Sequence, residues 1–429
     1  MIQIDLPPWF IFTGLFVLGA IVGSFLNVCI LRIPQREQFW ASLQGLWDRP
    51  SHCPRCKADI RWHDNIPILG WLMLRGRCRN CRMRISPRYP FIELLNAVLF
   101  VVVFWFEVPI GWSELTTSCL YTELGPQAIP GLGPLSPTAF VLLRYAYHMV
   151  LIEALLVASF IDFDLRIIPD GVTLPAMAFG VVASTVIGRV HLVPAWFQSP
   201  ALLTDFRIVL PEALHPVLTA PAVPAWFSQH PHLHGLLVSL AGLVVGGGIV
   251  WTVRIIGHWI LGREAMGFGD VILMAMIGSF LGWQATVVAF FLAPACALAV
   301  VSVSWIFRRD RYIPYGPYLS LGALLVLLGW QTIWPSAGRI FSLGPMLLAV
   351  FAVMLALFVA NLALVQLVKR LLGLDTELDE PVAEWTAADQ NQYFAGERVD
   401  RHSGQWKTQN DWPGIAAGRG TLQQERWRG

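Results

Sequence analysis

Long runs of apolar residues, separated by polar segments, dominate the hydrophobic pattern of the chain. Most of these runs approach or exceed the roughly 20 residues that an α-helix needs to cross a bilayer, although the run at 270–283 is short. The nine runs lie at 10–32, 91–106, 139–161, 171–188, 235–256, 270–283, 285–307, 317–334 and 344–368. The pattern predicts an all-α polytopic membrane protein with about nine transmembrane helices.

The composition excludes a single soluble core. Hydrophobic residues make up 55% of the chain and charged residues only 14%, whereas soluble domains carry about 25% charged residues. The first apolar run has no basic region before it and no small-residue cleavage site after it. Residues 1–32 are therefore predicted to hold a retained first span and not a removed signal peptide.

Basic residues are distributed unevenly between the loops. Segment 33–90 contains eleven Lys and Arg residues, segment 107–138 contains none, and segment 189–234 contains only Arg189 and Arg207. Cytoplasmic loops are enriched in Lys and Arg. The predicted cytoplasmic parts are 33–90, 162–170, 257–269, 308–316 and the C-terminus. The N-terminus, 107–138 and 189–234 are then predicted to lie outside.

Four of the seven cysteines form two Cys-x-x-Cys pairs in the loop 33–90. A two-residue gap lets both sulfurs of a pair face one ion. Four thiolates without an open position are typical of structural Zn²⁺, and a reducing cytoplasm disfavours disulfides. The sequence predicts a zinc-ribbon-like loop whose ligands are Cys53, Cys56, Cys78 and Cys81. Redox cysteines and an iron–sulfur cluster are the alternatives. The other cysteines, Cys29, Cys119 and Cys296, are predicted to be packing residues.

The zinc loop is strongly basic. Its eleven basic and four acidic residues give a formal charge of +7 (11 − 4), or about +5 with a Zn(Cys)₄ site that carries −2. This charge reflects either the orientation bias alone or a surface that lies against anionic lipid headgroups. No nucleic-acid-binding module is recognisable, so nucleic acid is not a predicted partner.

Acidic residues occur at two junctions of apolar runs. Asp162, Asp164 and Asp170 follow the third run, and Asp270 follows two glycines in "AMGFGD". Two carboxylates in a partly dry site titrate as a pair, so that one is protonated while the other activates water. The glycines would let the backbone bend or a peptide approach closely.

The alternative is that these acids cap or flank spans in water. This interpretation is preferred for Asp164, which lies about 200° around a helix from Asp162, and Asp170 would cap the fourth span. Arg144 and His148, one turn apart, are expected near the outer interface. Glu153 lies deeper, where a hydrogen bond inside the bundle or a catalytic role would explain it.

Five segments, in order, resemble the bacterial type IV prepilin peptidases, the GxGD-type aspartic leader peptidases of pilus and type II secretion systems. They are GSFLNVCILRIP (23–34), the cysteine loop (53–95), IDFDLRIIPD (161–170), GFGD (267–270) and YIPYGPYLSLGALL (312–325). The resemblance covers most of residues 15–330. It implies that Asp162, the first Asp of a D-x₆-PD motif, and Asp270 are the catalytic pair.

The resemblance also implies substrates and a second activity. The substrates would be prepilins or pseudopilins in the lipid bilayer, cut after a glycine on the cytoplasmic face of the bacterial inner membrane. Many members then methylate the new N-terminus with S-adenosylmethionine, and the Cys₄ loop is associated with that bifunctional form. Asn27, Arg88 and Glu93 either line such a pocket or serve as interhelical partners and an interfacial anchor. Cofactor-binding residues and an oligomeric state are not assigned.

The chain departs from the family in several places. Ile272 stands where a Lys is common, which bears on substrate contacts and not on the acid pair. After the core at 91–343, the span at 344–370 is an addition, and the polar tail 371–429 is predicted to be mostly disordered and cytoplasmic, with room for one short helix. The outer loops are also longer than expected.

Three hypotheses compete. The chain is a bifunctional peptidase and N-methyltransferase, a peptidase only with a structural zinc loop, or a non-enzymatic scaffold or transporter. The presence of both motif acids disfavours the third.

Overall fold

The computed structural model describes most of the predicted membrane part of the chain. The described residues are 7–35, 39–47, 51–53, 56, 58–108, 128–129, 133–194, 208, 211–212, 215, 229–261, 266–307, 314–343, 346–372, 397–399 and 406–408. Cys119 and much of the loops 107–138 and 189–234 lie outside them.

Eleven α-helices lie within the described ranges. They are α1 (Pro8–Arg32), α2 (Phe39–Gln44), α3 (Leu69–Met73), α4 (Arg88–Glu107), α5 (Pro137–Leu165), α6 (Asp170–Ile187), α7 (Pro231–Leu261), α8 (Phe268–Leu281), α9 (Trp283–Phe307), α10 (Gly316–Phe341) and α11 (Met346–Leu371). Two 3₁₀-helices span Ile33–Gln35 and Trp62–Asn65. Four short strands pair antiparallel, β1 (Ala128–Ile129) with β2 (Gly133–Pro134) and β3 (Glu397–Val399) with β4 (Trp406–Thr408).

Eight of the described helices are long and apolar enough to cross a membrane. The exception among the nine predicted spans is α8, which has 14 residues. At 1.5 Å per residue it is about 21 Å long, shorter than the roughly 30 Å hydrocarbon core. From Asp270 to Leu281, every residue of α8 except Ile272 is buried, so α8 forms the interior of the bundle. The predicted all-α polytopic class is confirmed. The apolar run at 270–283 forms a helix that is short, as predicted.

Helix α5 extends further than the predicted third span. It continues to Leu165 and ends where Arg166 adopts the left-handed region at φ 60°. The predicted loop 162–170 therefore shrinks to 166–169, and both Asp162 and Asp164 lie on the helix. The predicted span ended at residue 161, where the apolar pattern stops. The helix continues through Asp162 and Asp164, because both acids interact with residues of other segments.

Close backbone contacts hold the helices that carry the site. A Cβ on Gly242 of α7 would collide with the Gly278 carbonyl of α8, and a Cβ on Gly23 of α1 would lie 2.8 Å from the Glu93 Cα of α4. Small residues allow helices to approach in this way inside a membrane. The two contacts position α8 against α7 and join α1 to α4.

The C-terminal part begins with the added apolar helix. The predicted span 344–370 is α11, and none of its most apolar window is buried inside the protein, as expected for a helix that faces lipid. Most of the predicted disordered tail, and any short helix in it, lies outside the described residues. Within the tail, β3 and β4 form a strand pair that the sequence did not predict.

Candidate active site and metal centre

Asp162 lies in the last turn of α5. The Arg166 N–H donates to its backbone carbonyl (2.9 Å), which closes the helix. Only 6% of Asp162 is exposed. The backbone N–H of Gly316, at the start of α10, donates to the Asp162 carboxylate. The partial positive charge at the N-terminus of α10 therefore faces this acid.

Asp270 occupies the first turn of α8, directly after the Gly-Phe-Gly sequence. The Gly267 N–H donates to Asp270 Oδ2 (3.2 Å), and the Asp270 N–H donates back to the Gly267 carbonyl (3.2 Å). This reciprocal pair resembles a capping box. A Cβ on Gly269 would lie 3.1 Å from Ile168, so this glycine allows close approach of the segment that follows α5.

The two acids converge at one end of the bundle. Asp162 and Asp270 are both more than nine-tenths buried and interact electrostatically. Gly316 lies against both Ile168 and Asp162. A Cβ added to Gly316 would lie 2.5 Å from Asp162 Oδ2. The structure thus brings together the two acids that the sequence selected, while their catalytic role stays a prediction.

Tyr315 is a further polar group of this site. It precedes α10 and interacts with the Asp270 carboxylate. Burial and that negative charge raise the pKa of Tyr315 to about 12. Its hydroxyl is therefore protonated at neutral pH and can donate a hydrogen bond. Sequence reasoning assigned no role to Tyr315 or Gly316, although both lie in the segment 312–325 that carries the resemblance.

Asp164 and Asp170 have other surroundings. Arg88 Nη1 lies 2.7 Å from Asp164 Oδ1, and only 9% of the Asp164 side chain is exposed. The expectation that Asp164 flanks the span in water is wrong, because Arg88 at the start of α4 reaches it and forms an ion pair. Asp170 is exposed as the first residue of α6 and follows Pro169.

The cysteine loop contains two matching turns. An antiparallel bridge pairs His52 with Asp59, and another pairs Arg77 with Arg84. Within them, the Cys53 N–H donates to Ala58 O (2.9 Å) and the Cys78 N–H to Met83 O (2.8 Å). Each Cys-x-x-Cys pair is thereby presented on a tight turn, as in a zinc ribbon.

The four sulfurs have the spacing that a tetrahedral zinc ion requires. They all lie within 4.8 Å of one another, with Sγ–Sγ distances of 3.8 Å for Cys53–Cys81 and 4.0 Å for Cys56–Cys78. Zn–S bonds of about 2.3 Å place sulfurs about 3.8 Å apart, whereas a disulfide needs about 2.05 Å. Hydrogen bonding from the Cys81 backbone N–H lowers the pKa of the Cys78 thiol to about 7, which favours the thiolate that binds zinc. The residues fit a structural zinc ion.

Two contacts order the loop around these turns. Arg79 Nε donates to Asp64 Oδ2 (2.7 Å), and this contact lowers the pKa of Asp64. The Ile68 N–H donates to Glu93 Oε2 of α4 (2.6 Å). Ile68 has φ 62° and ψ −53°, a conformation that costs a non-glycine residue about 1–3 kcal/mol. The buried Glu93 carboxylate therefore holds a strained backbone against α4.

The candidate cofactor residues have partners within the protein. The Asn27 side chain donates to Tyr89 O (3.1 Å) and joins α1 to α4. Glu93 accepts from Ile68 and also interacts with Ser24 of α1, and Arg88 pairs with Asp164. These contacts favour the interhelical interpretation of Asn27 and Glu93, and none of the three residues is assigned to S-adenosylmethionine.

A second buried polar cluster lies at the opposite end of the bundle. His148 Nδ1 lies 2.5 Å from Glu107 Oε1, and both side chains are fully buried. Arg144 approaches the Glu107 carbonyl (Nη2–O 3.5 Å). The sequence predicted Arg144 and His148 at this end but missed Glu107, which looked like an ordinary polar flank of an apolar run. Glu153 lies deeper in the bundle, beside Asn96.

Comparisons with known proteins agree with this architecture. The profile of the bacterial peptidase A24 N-terminal domain matches residues 17–106, and the profile of the type IV leader peptidase family matches residues 202–303. The first range contains the four cysteines and the second contains Asp270. Asp162 lies between the two ranges. No solved structure matches the chain.

Several curated relatives cover most of the chain. A prepilin leader peptidase/N-methyltransferase of Klebsiella pneumoniae is 31% identical over 272 residues, which cover 63% of this chain and 85% of that protein. Enzymes of the same name from Aeromonas salmonicida and Neisseria gonorrhoeae are 28% and 29% identical. The first match covers 76% of this chain and 93% of the relative, and the second covers 74% and 90%.

The fold and the site define a polytopic membrane protein with two adjoining buried carboxylates and a four-cysteine loop. The chain belongs to the type IV leader peptidase family, peptidase A24.

Proposed function

We propose that the chain is a membrane aspartic endopeptidase that removes the basic leader from type IV prepilins or type II secretion pseudopilins. The observation that carries this proposal is the convergence of Asp162 and Asp270 in a buried site. The names of the relatives and the motif resemblance supply the substrate class. Cleavage follows a glycine on the cytoplasmic side of a bacterial inner membrane.

The reaction requires the two acids to have different protonation states. Adjoining carboxylates in a dry site favour a single shared negative charge. The charged acid takes a proton from water as the water oxygen adds to the scissile carbonyl carbon, and the neutral acid protonates the carbonyl oxygen. The C–N bond then breaks as the first acid returns its proton to the amide nitrogen, while the second recovers its own. The products are a carboxylic acid and a new amino terminus.

The surrounding groups keep this pair in position. The N–H groups of Gly316 and Gly267 each hold one carboxylate, and the Tyr315 side chain interacts electrostatically with Asp270. The apolar helix of the substrate would lie among the spans, where its backbone groups are satisfied internally. Its polar cleavage junction would then reach the end of the bundle that carries the acids.

A second activity, N-methylation of the new N-terminus with S-adenosylmethionine, is supported by the relatives' names and by the cysteine loop. S-adenosylmethionine would supply the methyl group to the amine that cleavage releases. Zn²⁺ held by Cys53, Cys56, Cys78 and Cys81 would supply structure to the loop. The alternative is a peptidase whose zinc loop is structural only.

One assay tests both activities. Purified full-length protein in lipid vesicles is incubated with a synthetic prepilin and isotopically labelled S-adenosylmethionine, and the products are weighed by mass spectrometry. Loss of the leader after glycine supports the peptidase, and a labelled mass increase on the mature peptide supports the methyltransferase. A cleaved, unlabelled product would assign the peptidase-only alternative. An intact prepilin, under conditions in which the Klebsiella relative cleaves it, would overturn the proposal.

A further inference from the structure

The short helix α3 carries an apolar stripe that faces away from the protein. Leu69, Leu72 and Met73 are 56%, 56% and 67% exposed. They occupy positions i, i+3 and i+4, which lie on one face of a helix. The opposite face is engaged, because Gly70 is buried and Trp71 Nε1 donates to Ile85 O (3.0 Å). Three large apolar side chains that face outward together from an extramembrane loop indicate an interaction surface.

The hydrogen bond between Ile68 and Glu93 sets the depth of this stripe. Glu93 lies five residues inside α4, which begins at Arg88, and that is about 7.5 Å along the helix axis. Because the 20 residues of α4 just match the thickness of the hydrocarbon core, Glu93 lies below the membrane surface. The Ile68 N–H reaches it at 2.6 Å. The start of α3 is therefore held at the level of the first turns of a transmembrane helix.

Apolar side chains are also exposed at the same level of α4. On those first turns of α4, Phe91 and Leu94 are 54% and 44% exposed. Beyond α3, Arg75 and Arg77 are exposed. Apolar side chains followed by arginines match the order of acyl chains and anionic headgroups at a membrane interface. The formal charge of +7 on segment 33–90 (11 − 4) favours the same partner.

We propose that α3 is an interfacial anchor: Leu69, Leu72 and Met73 insert between the acyl chains of the adjoining leaflet, and Arg75 and Arg77 bind anionic lipid headgroups. The zinc loop is then docked on the bilayer as well as tethered by α1 and α4. This anchor does not depend on the proposed peptidase activity.

Photo-crosslinking of the full-length protein tests the insertion. The protein is reconstituted in vesicles of phosphatidylcholine and phosphatidylglycerol that contain phosphatidylcholine with a diazirine in its acyl chain. After irradiation, trypsin releases residues 62–75 between Arg61 and Arg75, and mass spectrometry locates lipid adducts. We expect adducts on residues 69–73. Their absence, while peptides of α4 are labelled, would overturn the proposal.

Matched variants separate insertion from accidental labelling. The double variant Leu72→Gln/Met73→Gln should lose most of the adducts on the peptide while zinc content is kept. The control is Trp62→Gln, since Trp62 is 81% exposed on the same peptide but outside α3, and it should leave the adducts unchanged. Adducts that persist in the double variant, or that lie only on Trp62, would contradict insertion. If residues 69–73 stayed unlabelled while α4 was labelled, this face would be assigned to a protein partner and insertion would be contradicted.

The headgroup contact has its own test. Diazirine-labelled phosphatidylglycerol should label the peptide more than the phosphatidylcholine probe does at equal content. The variant Arg75→Gln/Arg77→Gln, digested with chymotrypsin because a trypsin site is lost, should reduce this ratio towards one. An unchanged ratio would rule out the arginines as the anionic lipid site.

Discussion

The backbone N–H of Gly316 donates a hydrogen bond to the carboxylate of Asp162, and a Cβ at residue 316 would lie 2.5 Å from Asp162 Oδ2. This contact joins the N-terminus of α10 to the end of α5. It also means that the geometry of the acid pair depends on the absence of a side chain at residue 316.

We therefore expect Gly316→Ala to lower kcat for prepilin cleavage by about 100-fold, because a displacement near 1 Å at a reacting group has effects of that size. KM should change little, since the added Cβ contacts Asp162 and the substitution therefore displaces the acid without changing substrate binding. The matched control is Gly329→Ala in the same helix, whose Cβ would meet only Ile333 at 3.4 Å. Equal kinetics for the two variants would contradict the positioning role.

The acids themselves give the most direct prediction. Asp162→Asn and Asp270→Asn keep the size of the side chain and an oxygen that accepts from Gly316 or Gly267, but remove half of the acid–base pair. Each should reduce cleavage by at least about 100-fold while membrane insertion and zinc content are kept. Asp170→Asn, at an exposed neighbouring acid, is the control and should cleave normally. Substantial activity in either of the first two variants would remove that acid from the mechanism.

The cysteine loop predicts a measurable metal content. Metal analysis by mass spectrometry should find about one zinc per chain, since four sulfurs within 4.8 Å form one site. Cys53→Ser and Cys78→Ser, one from each turn, should each lose most of it. Cys29→Ser, at a buried packing cysteine of α1, should retain it. A metal-free wild-type protein, purified without chelators, would exclude the site.

The ion pair between Arg88 and Asp164 should couple α4, which follows the cysteine loop, to α5, which carries Asp162. Arg88→Gln and Asp164→Asn should each lower the apparent unfolding temperature, because each leaves one charged partner in a poorly solvated position. The double variant should lose less free energy of unfolding than the two single variants lose together. The coupling free energy between the two residues should be about 0.5–3 kcal/mol. Additive effects would show that the pair contributes nothing beyond its separate charges.

The sequence predicted those parts of the molecule that follow from local rules. A bilayer imposes a length on its helices, so apolar runs revealed nearly every span, and the spacing of the paired cysteines selected the candidate metal ligands. Asp270 was visible because a charge at the mouth of an apolar run is unusual. Asp162 was selected from three acids only by its motif.

What the sequence did not predict are contacts between distant segments. Arg88 and Asp164 are 76 residues apart, and neither residue's neighbours in the chain indicate the other. Gly316 donates to Asp162 from a helix more than a hundred residues away. Glu107 was missed because an acid at the end of an apolar run is ordinary, and only the fold places His148 beside it.

The buried histidine that follows α6 predicts how stability depends on pH. Burial, with the charges of His234 and His148, lowers the pKa of His191 from 6.5 to about 3. Because the unfolded chain then binds more protons than the folded one between pH 6.5 and pH 3, stability should fall as the pH is lowered through this range. The apparent unfolding temperature in detergent should show this fall, and His191→Phe should make it shallower, since the phenyl ring does not titrate. His230→Gln, at an exposed position, should not. Parallel curves for wild type and His191→Phe would exclude His191 as the source.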